Sequence, residues 1–498
     1  MSKLNGGIIG PDNVPTGAFG SASGVWRLSD VTNYKKQGTW PIVLTGHQVA
    51  NSCRFDTNAG MNKTAANGTR TKATFSAWVK RSVLGDESLL FNSRIDASNH
   101  FLIRFTGGDA LELVNRISAS NISFYTTNQL FRDVSAWYHV VWSIDTTQAS
   151  SGDRIKLFVN GTQVTSFATS TTQSQSTDLA ANINTAEYYV AQEYTSGDNY
   201  FDGYMAEVVW IDGTAYAASY FGETDSVTNN WVPKNVSGLT FGNSGFYLDF
   251  KDSSNLGNDA NGGTDLTENN ITSIDQSIDS CTNNFATLNP LDRSTLSSDG
   301  TTFTEGNLKT TDASSNYLVA TGTLAVTQGK WYFEVKIDAT ASNTASGVAI
   351  VDLDGWNRTD GSANTAYGWL YAPDGDKRNN STSTSYGNTY SANDIIGVAI
   401  DMDNKSVYFS KNGTFQNNGD PTSGASKTNA AFTNLTGTIT AQVYDGSSGQ
   451  AHEFSMNFGS APYAISSGNV DSSGMGNFEY AVPEGYYSLC TRNLNLIG

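Results

Sequence analysis

The stretch KLFVNGT (156–162) decides how the first half of the chain folds, because an alternating apolar strand runs directly into Asn-Gly. Asn-Gly tolerates positive φ at both central positions of a type I′ turn, the favoured two-residue hairpin connection. The stretch VYFSKNGTF (407–415) repeats this pattern in the second half of the chain. Each stretch follows another apolar strand that ends in Ile-Asp, namely WYHVVWSID (137–145) and DIIGVAID (394–401). The sequence therefore predicts two antiparallel hairpins built by the same rules.

The composition indicates an all-β protein with more than one domain. A chain of 498 residues is too long for a single core. Charged residues make up 15% of the chain, against about 25% in ordinary globular proteins. The 48 glycines, together with many Ser, Thr and Asn, favour turns over helices. Apolar strands alternate with these turns along most of the chain, which is typical of β-sandwiches and jelly rolls.

The charge and hydropathy patterns argue against nucleic acid and membranes as direct partners. The net charge is −18 with only 29 Lys and Arg, and the sequence has no basic cluster to bind phosphates. No apolar run approaches the roughly 18 residues of a membrane span, and the first residues lack the apolar core of a secretory signal. The acidity favours solubility and neutral or cationic partners.

The distribution of strands and turns predicts five regions. They are an N-terminal anchoring arm at 1–45, a first sandwich at 46–213, a connector at 214–290, a second sandwich at 291–462 and a C-terminal strand segment at 463–498. The arm is expected to be extended with one short helix, for which Ser29 is a suitable N-cap and Gly38 a suitable stop. An arm of this size cannot build its own core and must pack on another surface.

The first strand-rich region resembles the laminin-G-like, concanavalin A-like lectin sandwich. The resemblance covers residues 70–213 and rests on four stretches in the same order: FSAWVKR (75–81), WYHVVWSID, KLFVNGT and FDGYMAEVVWIDG (201–213). It implies that WYHVV and LFVNG are antiparallel core strands joined in one sheet. It also implies that the Asn-Gly is a hairpin turn.

The second strand-rich region resembles SPRY domains, another concanavalin-like sandwich, over residues 290–460. The matching stretches are KWYFEVKID (330–338), DIIGVAID followed by VYFSKNGTF, and the closing strand HEFSMNFG (452–459). The two resemblances together imply an all-β chain with two concanavalin-like antiparallel sandwiches, or jelly rolls, in tandem.

Segments outside the sandwiches resemble linking segments of structural proteins from tailed bacteriophages. They are GGIIG (6–10), GVWRLSDVTNYKKQGTWP (24–41), YFGETD (220–225), WVPK (231–234) and TNNFATLNPL (282–291). In such proteins, lectin-like and SPRY-like sandwiches stand in tandem on fibres, spikes or capsid decorations. The resemblance implies a virion surface protein, made in the host cytoplasm, whose partners are capsid, portal or tail proteins. It also implies assembly into a homo-oligomer.

The sequence carries none of the usual catalytic motifs. Retaining glycoside hydrolases need two carboxyl groups about 5 Å apart, which E-x-D-x-E on one strand can supply. YFEVKID offers only Glu334 and Asp338, with Lys336 between them. The four histidines lie outside recognised catalytic motifs: His47, His100, His139 and His452. His139 is interpreted as a strand residue that is hydrogen-bonded to a neighbour, and we expect no enzymatic activity.

No cofactor or metal is expected from the sequence. Cys53, Cys281 and Cys490 are far apart and lack C-x-x-C spacing, so neither a disulfide framework nor a zinc site follows. Calcium is disfavoured, although the loop that begins at Asp352 offers clustered oxygen atoms. The position at which a calcium loop places its bidentate glutamate is Ala363. The Asp and Asn residues are better explained as turn formers.

Aromatic residues in turn-rich segments are the candidate ligand-binding residues, because sugars stack on exposed Trp and Tyr rings. They are Trp356, Tyr367, Trp369 and Tyr371 in the second sandwich, and Tyr194 and Tyr200 in the first. A recess with exposed rings would favour binding, and a place in the core is the alternative. In the arm, the candidate anchoring residues are Trp26, Leu28, Tyr34 and Trp40. They would dock either on a partner or on the sandwich behind them.

The functional prediction is a non-enzymatic virion surface protein of a tailed phage, as a fibre, spike or capsid decoration. The arm would attach it, and the sandwich loops would present a surface to host polysaccharide. Two alternatives stay open. One is a purely structural cement without a host ligand, and the other is a polysaccharide-degrading glycoside hydrolase.

Overall fold

A computed structural model describes residues 46–194, 199–226, 228–292, 300–312, 318–340, 346–358, 364–446 and 451–497. The predicted arm at 1–45, with its short helix, lies outside the described residues. The described chain divides into two compact units. The first unit contains Gly46–Asn284 and Thr304–Asn307, and the second contains Phe285–Phe303 and the chain from Leu308 onward.

The first unit is an antiparallel β-sandwich. Its strands are β1 Ser52–Phe55, β2 Gly60–Thr64, β3 Lys72–Arg81, β4 Ser88–Asp96, β5 Asn99–Phe105, β6 Ala110–Ile117, β7 Ser120–Leu130, β8 Tyr138–Asp145, β9 Ile155–Val159, β10 Thr162–Val164, β11 Phe167–Thr171, β12 Glu187–Val190, β13 Gly203–Asp212, β14 Gly222–Thr224, β15 Trp231–Pro233, β16 Phe246–Leu248, β17 Thr267–Asn269 and β18 Gln276–Ser277. One sheet has the order β10-β9-β8-β3-β13-β1-β18, with β16 also paired to β13. The facing sheet has the order β11-β7-β6-β5-β4-β12-β2-β17.

The first Asn-Gly hairpin forms as the sequence predicts. β8 pairs with β9 and β9 with β10, and φ is positive at both Asn160 (47°) and Gly161 (76°). The Asn160 side chain also accepts a hydrogen bond from the backbone N–H of His139 at 2.8 Å. Asn160 therefore closes the β9–β10 hairpin and also binds it to the neighbouring strand β8.

The predicted connector contributes strands to the first sandwich. β16 pairs with β13, β17 with β2 and β18 with β1, so this part of the chain extends both sheets. Side chains from 214–284 also cover the outer face of the β8–β3–β13 sheet, where Phe221, Val236 and Phe241 pack against Val141 and Val209. This cover explains why β3 and β13 are buried on both faces.

The second unit is also an antiparallel sandwich. Its strands are β19 Thr302–Thr304, β20 Lys309–Thr311, β21 Leu318–Val326, β22 Lys330–Ala339, β23 Ser346–Asp352, β24 Gly368–Tyr371, β25 Asp376–Asn379, β26 Thr382–Ser385, β27 Ile395–Asp401, β28 Ser406–Lys411, β29 Thr414–Phe415, β30 Ile439–Asp445, β31 Glu453–Asn457 and β32 Tyr487–Ser488. One sheet has the order β19-β20-β31-β22-β27-β28-β29, and the other β21-β30-β23-β24-β25-β26. Together the two units confirm the predicted all-β chain with two antiparallel sandwiches.

The second Asn-Gly hairpin repeats the first one. β27 pairs with β28 and β28 with β29, and φ is positive at Asn412 (47°) and Gly413 (77°). The Asn412 side chain accepts a hydrogen bond from the backbone N–H of Ile395 at 2.8 Å. Both hairpins thus use the asparagine side chain in the same way.

The C-terminal segment packs back on the second unit. β32 pairs in parallel with β22, and the chain then forms helix α1, Thr491–Ile497, where the sequence predicts a strand. Leu494 and Ile497 of α1 pack against the sandwich core. Short 3-10 segments connect other elements: Ser151–Asp153, Ala218–Tyr220, Ser273–Asp275, Gln416–Asn418 and Pro421–Ser426. In the described part of the chain, no helix has the length and apolar character needed to span a membrane.

Candidate functional site

Three of the four ligand candidates in the second unit lie in its interior. Trp369 and Tyr371 on β24 are fully buried, and Trp356 is 3% exposed. The Trp369 indole donates to the Asn434 side chain, and the Tyr371 hydroxyl donates to a backbone carbonyl. Buried rings with internal partners cannot stack on a ligand in this conformation. Tyr367 is 42% exposed and lies against Gly355, so one face of its ring is already covered.

The two candidates in the first unit have different surroundings. The guanidinium of Arg94 lies 4.4 Å from the centre of the Tyr194 ring, which already has a cation on its face. Tyr200 is half-buried and lines a cleft. The structure therefore does not bring the six candidates together in one place. The four anchoring candidates, Trp26, Leu28, Tyr34 and Trp40, lie outside the described residues.

The cleft beside Tyr200 is the candidate binding site. Its volume is about 360 Å³. It lies where three connections of the first sandwich meet, between β1 and β2, between β3 and β4, and between β12 and β13. Its lining is Thr57, Asn58, Val83, Asp86, Glu87, Ser88, Asn199, Tyr200 and Asp202. One ring, three carboxyl groups and two carboxamides thus converge on one recess.

The β3–β4 connection is held in place by the buried carboxylate of Asp109. This carboxylate accepts the Gly85 backbone N–H at 2.9 Å and binds the guanidinium groups of Arg81 and Arg132. Burial acts to raise the pKa of Asp109, but the Gly85 N–H and the two arginines together lower it. Asp109 therefore stays ionised and fixes the loop that carries Asp86 and Glu87.

Glu87 is positioned by a charged network on the facing sheet. Arg104 on β5 binds Glu87 on one side and Glu112 on the other, the latter at 2.7 Å. Thr126 donates a further hydrogen bond to Glu112. Because Arg104 is shared between two carboxylates, it balances only part of the negative charge, and this edge of the cleft stays acidic.

Asp202 lines the cleft, and its carboxyl group contacts that of Asp56. Burial raises the pKa of Asp202 well above its ordinary value, and the neighbouring carboxylates of Asp56 and Glu305 raise it further. Its Oδ1 is buried without a hydrogen-bond donor among the described residues. Two carboxyl groups in contact form a hydrogen bond only when one holds a proton, so Asp202 favours its protonated form.

The remaining chemistry-bearing residues have structural partners. His139 is fully buried, accepts a hydrogen bond from the Trp231 indole at 2.9 Å and lies 3.0 Å from the Ser76 hydroxyl. Burial lowers the pKa of His139 to about 3, so the ring is neutral, as expected for a strand residue satisfied by its neighbours. Asp338 pairs with Lys336 at 2.7 Å.

No metal site is evident in the described part of the chain, where no group of three or more His, Cys, Asp or Glu side chains could hold an ion. The three cysteines are free. Cys53 and Cys490 are buried and Cys281 is half-buried, and burial raises the pKa of the Cys53 and Cys281 thiols.

Most of the cleft residues are not predictable from the sequence alone. Asp86 and Glu87 lie on one connection and Asp202 on another, and the pairing of β3 with β13, which places Arg81 opposite Gly203, brings the two connections to one end of the sandwich. The only indication of the cleft in the sequence is the composition of two short loops. GDES (85–88) and NYFDG (199–203) are acidic loops bounded by glycine, and one of them contains a tyrosine.

Family comparisons agree with the two sandwiches. Residues 55–219 match the profile of the concanavalin A-like lectin/glucanases superfamily, and residues 330–458 match the SPRY domain profile. The chain thus combines a concanavalin A-like domain with a SPRY domain. The first match includes every residue that lines the cleft. A comparison with curated protein sequences gave no match.

Solved structures of low identity and low TM-score match parts of the chain. The SPRY domain of human HERC1 has 18% identity over 30% of this chain and 87% of that chain, with a TM-score of 0.24. A pentraxin from Limulus polyphemus has 10% identity over 39% of this chain and 100% of that chain, with a TM-score of 0.28. Domain 4 of the arabinanase AbnA from Geobacillus stearothermophilus has 19% identity over 35% and 80%, with a TM-score of 0.26.

Proposed function

We propose that the protein binds glycans, without acting on them, through the cleft of the first sandwich. The observation that carries this proposal is the convergence of the Tyr200 ring with three carboxyl groups and two carboxamides in one recess. Sugar hydroxyls donate to carboxylate and amide oxygens, and a tyrosine ring packs against the apolar face of a pyranose. The match to the lectin/glucanase superfamily supports the same class of ligand.

The acidic lining favours neutral or amino sugars over acidic ones. Asp86 and Glu87 line the cleft, and the whole chain carries a net charge of −18. A uronic acid or sulfated sugar would bring a further negative charge close to these two carboxylates, which costs binding energy.

The test is glycan binding by the full chain and by Tyr200→Ala. Binding to neutral and amino-sugar polysaccharides is measured by calorimetry, and we expect Tyr200→Ala to weaken it about tenfold because one stacked ring is lost. Tyr220→Ala is the matched control, since Tyr220 is a 49% exposed tyrosine of the same unit that does not line the cleft. Equal binding by both variants would exclude this cleft.

Hydrolysis of the bound polysaccharide is the second candidate, and Asp202 is the observation that favours it. A carboxyl group that holds its proton in a sugar-binding cleft is the form that a general acid requires. In that case the full chain would release sugar from its polysaccharide, and Asp202→Asn would bind sugar without releasing it. Binding without release in the unsubstituted protein would leave the non-enzymatic function standing.

The proposed biological setting is the surface of a tailed-phage virion, with capsid, portal or tail proteins as partners. It is supported by the resemblance of segments such as 24–41 and 282–291 to phage linking segments. The test compares the full chain with a chain lacking residues 1–45 for incorporation into particles of the virus that encodes it. Attachment through the arm predicts that only the full chain sediments with the particles. Incorporation without glycan binding would favour a structural cement.

The proposal includes a homo-oligomer, because sandwiches on phage particles commonly repeat around a symmetry axis. Sedimentation of the free protein measures its mass in solution. A monomer at working concentration would contradict this part of the proposal while leaving glycan binding untouched.

A further inference from the structure

A lysine, an aspartate and an asparagine meet in the interior of the first unit. The Lys80 side chain, on β3, is 1% exposed and the Asp279 side chain is 2% exposed. The Lys80 Nζ donates to Asp279 Oδ2 at 2.8 Å and to Asn284 Oδ1 at 2.7 Å. Lysine is among the residues least often buried in proteins, so a buried amine with these two neighbours requires an explanation.

Aromatic rings keep this cluster away from water. The Lys80 Nζ lies 5.5 Å from the centre of the fully buried Tyr204 ring, and Tyr204 is its register partner on β13. The Trp137 indole donates to Asp279 Oδ1 at 3.2 Å and its ring lies 6.3 Å from that of Tyr204. Asp279 thus has one oxygen held by the indole and the other directed at the amine.

The carboxamide of Asn284 is oriented from both ends. Its oxygen accepts from Lys80, and its Nδ2 donates to the Ser135 carbonyl at 2.7 Å. A C=O bond is about 1.23 Å long, which places the amide carbon within about 4 Å of the lysine nitrogen. A small rotation of the side chain brings the two atoms to the attack distance of about 3–3.5 Å.

From this geometry we propose that Lys80 and Asn284 form an intramolecular isopeptide bond, with Asp279 as the proton carrier. Asp279 accepts a proton from the Lys80 ammonium, and the amine lone pair attacks the Asn284 amide carbon. The tetrahedral intermediate collapses as its C–Nδ2 bond breaks, and Asp279 returns the proton to the departing nitrogen. The products are a Cγ–Nζ amide and one ammonia, which leaves as ammonium with the proton of the lysine, so no oxidant or other reactant is needed.

The bond would link the middle of the sandwich to the end of the unit. Residues 80 and 284 are the two ends of a covalent ring that includes β4 to β18. Such a ring restricts the unfolded chain and keeps the segment at 214–284 attached to the sheet that it covers. This function is independent of any ligand in the cleft, and glycan binding can fail without affecting it.

The decisive measurement is the intact mass of the full purified chain under denaturing conditions. We expect a mass lower than that of the sequence by one ammonia, and a proteolytic digest containing a branched peptide that joins residues 80 and 284. The variants Lys80→Arg and Asp279→Ala should have their full sequence masses. Lys63→Arg is the matched control, because the Lys63 amine lies 3.6 Å from Asp259 but donates to a backbone carbonyl. It should retain the mass deficit.

A succinimide at an Asn-Gly turn loses the same ammonia and must be distinguished from the crosslink. Mild alkali opens a succinimide and adds one water, whereas an isopeptide bond survives this treatment. The mass deficit of the unsubstituted protein should therefore persist in alkali. A full sequence mass for this protein, or a deficit that alkali removes, overturns the proposal, and neither outcome depends on whether the variants fold.

Discussion

In the first unit Trp231 lies against the glycine of the Asn-Gly hairpin, and in the second unit Tyr480 takes the corresponding place. A Cβ atom at Gly161 would lie 2.4 Å from the Trp231 ring, and one at Gly413 would lie 2.6 Å from the Tyr480 ring. Both rings come from chain that follows the sandwich and folds back over it. The covering segments have unrelated sequences, so the close packing of a ring on glycine follows from the architecture and not from a shared motif.

The two covering segments are fastened by groups of opposite acid–base character. In the first unit the Trp231 indole donates to neutral His139. In the second unit the buried carboxyl of Glu334 accepts the backbone N–H groups of Glu479 and Tyr480 at 2.9 and 2.8 Å, together with hydrogen bonds from Tyr332 and Asn457. The covering segment of the first unit therefore depends on a histidine that must stay uncharged. The covering segment of the second unit depends on a carboxyl group that accepts several hydrogen bonds.

The largest effect is expected from removing the acceptor in the second unit. Glu334→Ala leaves two backbone N–H groups and two side-chain donors without their partner, and we expect a loss of about 4 kcal/mol in the free energy of unfolding. Denaturant unfolding measures it, and hydrogen exchange at 477–480 localises it. Glu453→Ala on the adjacent strand β31 is the control, because Glu453 makes a surface pair with Lys309 and should cost less than about 1 kcal/mol. Similar losses in the two variants would show that Glu334 does not fasten the cover.

The first unit should lose stability in mild acid through His139. Its pKa is lowered by burial from 6.5 to about 3, so between these values the unfolded chain binds more protons than the folded one. The contribution of neutral His139 to the free energy of unfolding is complete above pH 6.5. It decreases as the pH falls and is smaller by roughly 2 kcal/mol at pH 5. Burial raises the pKa of Glu334. Its contribution to the free energy of unfolding therefore has the opposite pH dependence, and it decreases as the pH rises above the ordinary glutamate pKa.

The measurement compares His139→Gln with the unsubstituted protein by denaturant unfolding at pH 7 and pH 5. The variant cannot titrate, so its loss between the two pH values should be smaller by roughly 2 kcal/mol. His452→Gln is the matched variant in the second unit, where burial lowers the histidine pKa to about 4. Identical pH dependence in His139→Gln and the unsubstituted protein would contradict a neutral buried His139.

The hairpins, the buried aromatic rings and the cleft show which parts of the structure can be predicted from the sequence alone. Asn160 and Asn412 predicted both hairpins and their partner strands, because positive φ and strand alternation are local properties. The location of Trp369 and Tyr371 in the core was not predictable in the same way, since a turn-rich neighbourhood does not determine which sheet face a strand residue occupies. The fold-back of 214–284 and the cleft around Asp202 depend on contacts between residues far apart in the chain, which local patterns do not encode.

The smallest and most symmetrical effect is expected at the two hairpins. Asn160→Ala removes the side-chain acceptor for the His139 N–H and places alanine at positive φ, and Asn412→Ala does the same for the Ile395 N–H. We expect about 1 kcal/mol for each in denaturant unfolding, because each loses one part-buried hydrogen bond and a favourable turn residue. Asn160→Asp and Asn412→Asp keep both the acceptor and the tolerance of positive φ, and should change stability by less than about 0.5 kcal/mol. A large cost at one hairpin and none at the other would mean that the covering segments, with Trp231 on one side and Tyr480 on the other, determine hairpin stability more than the turn does.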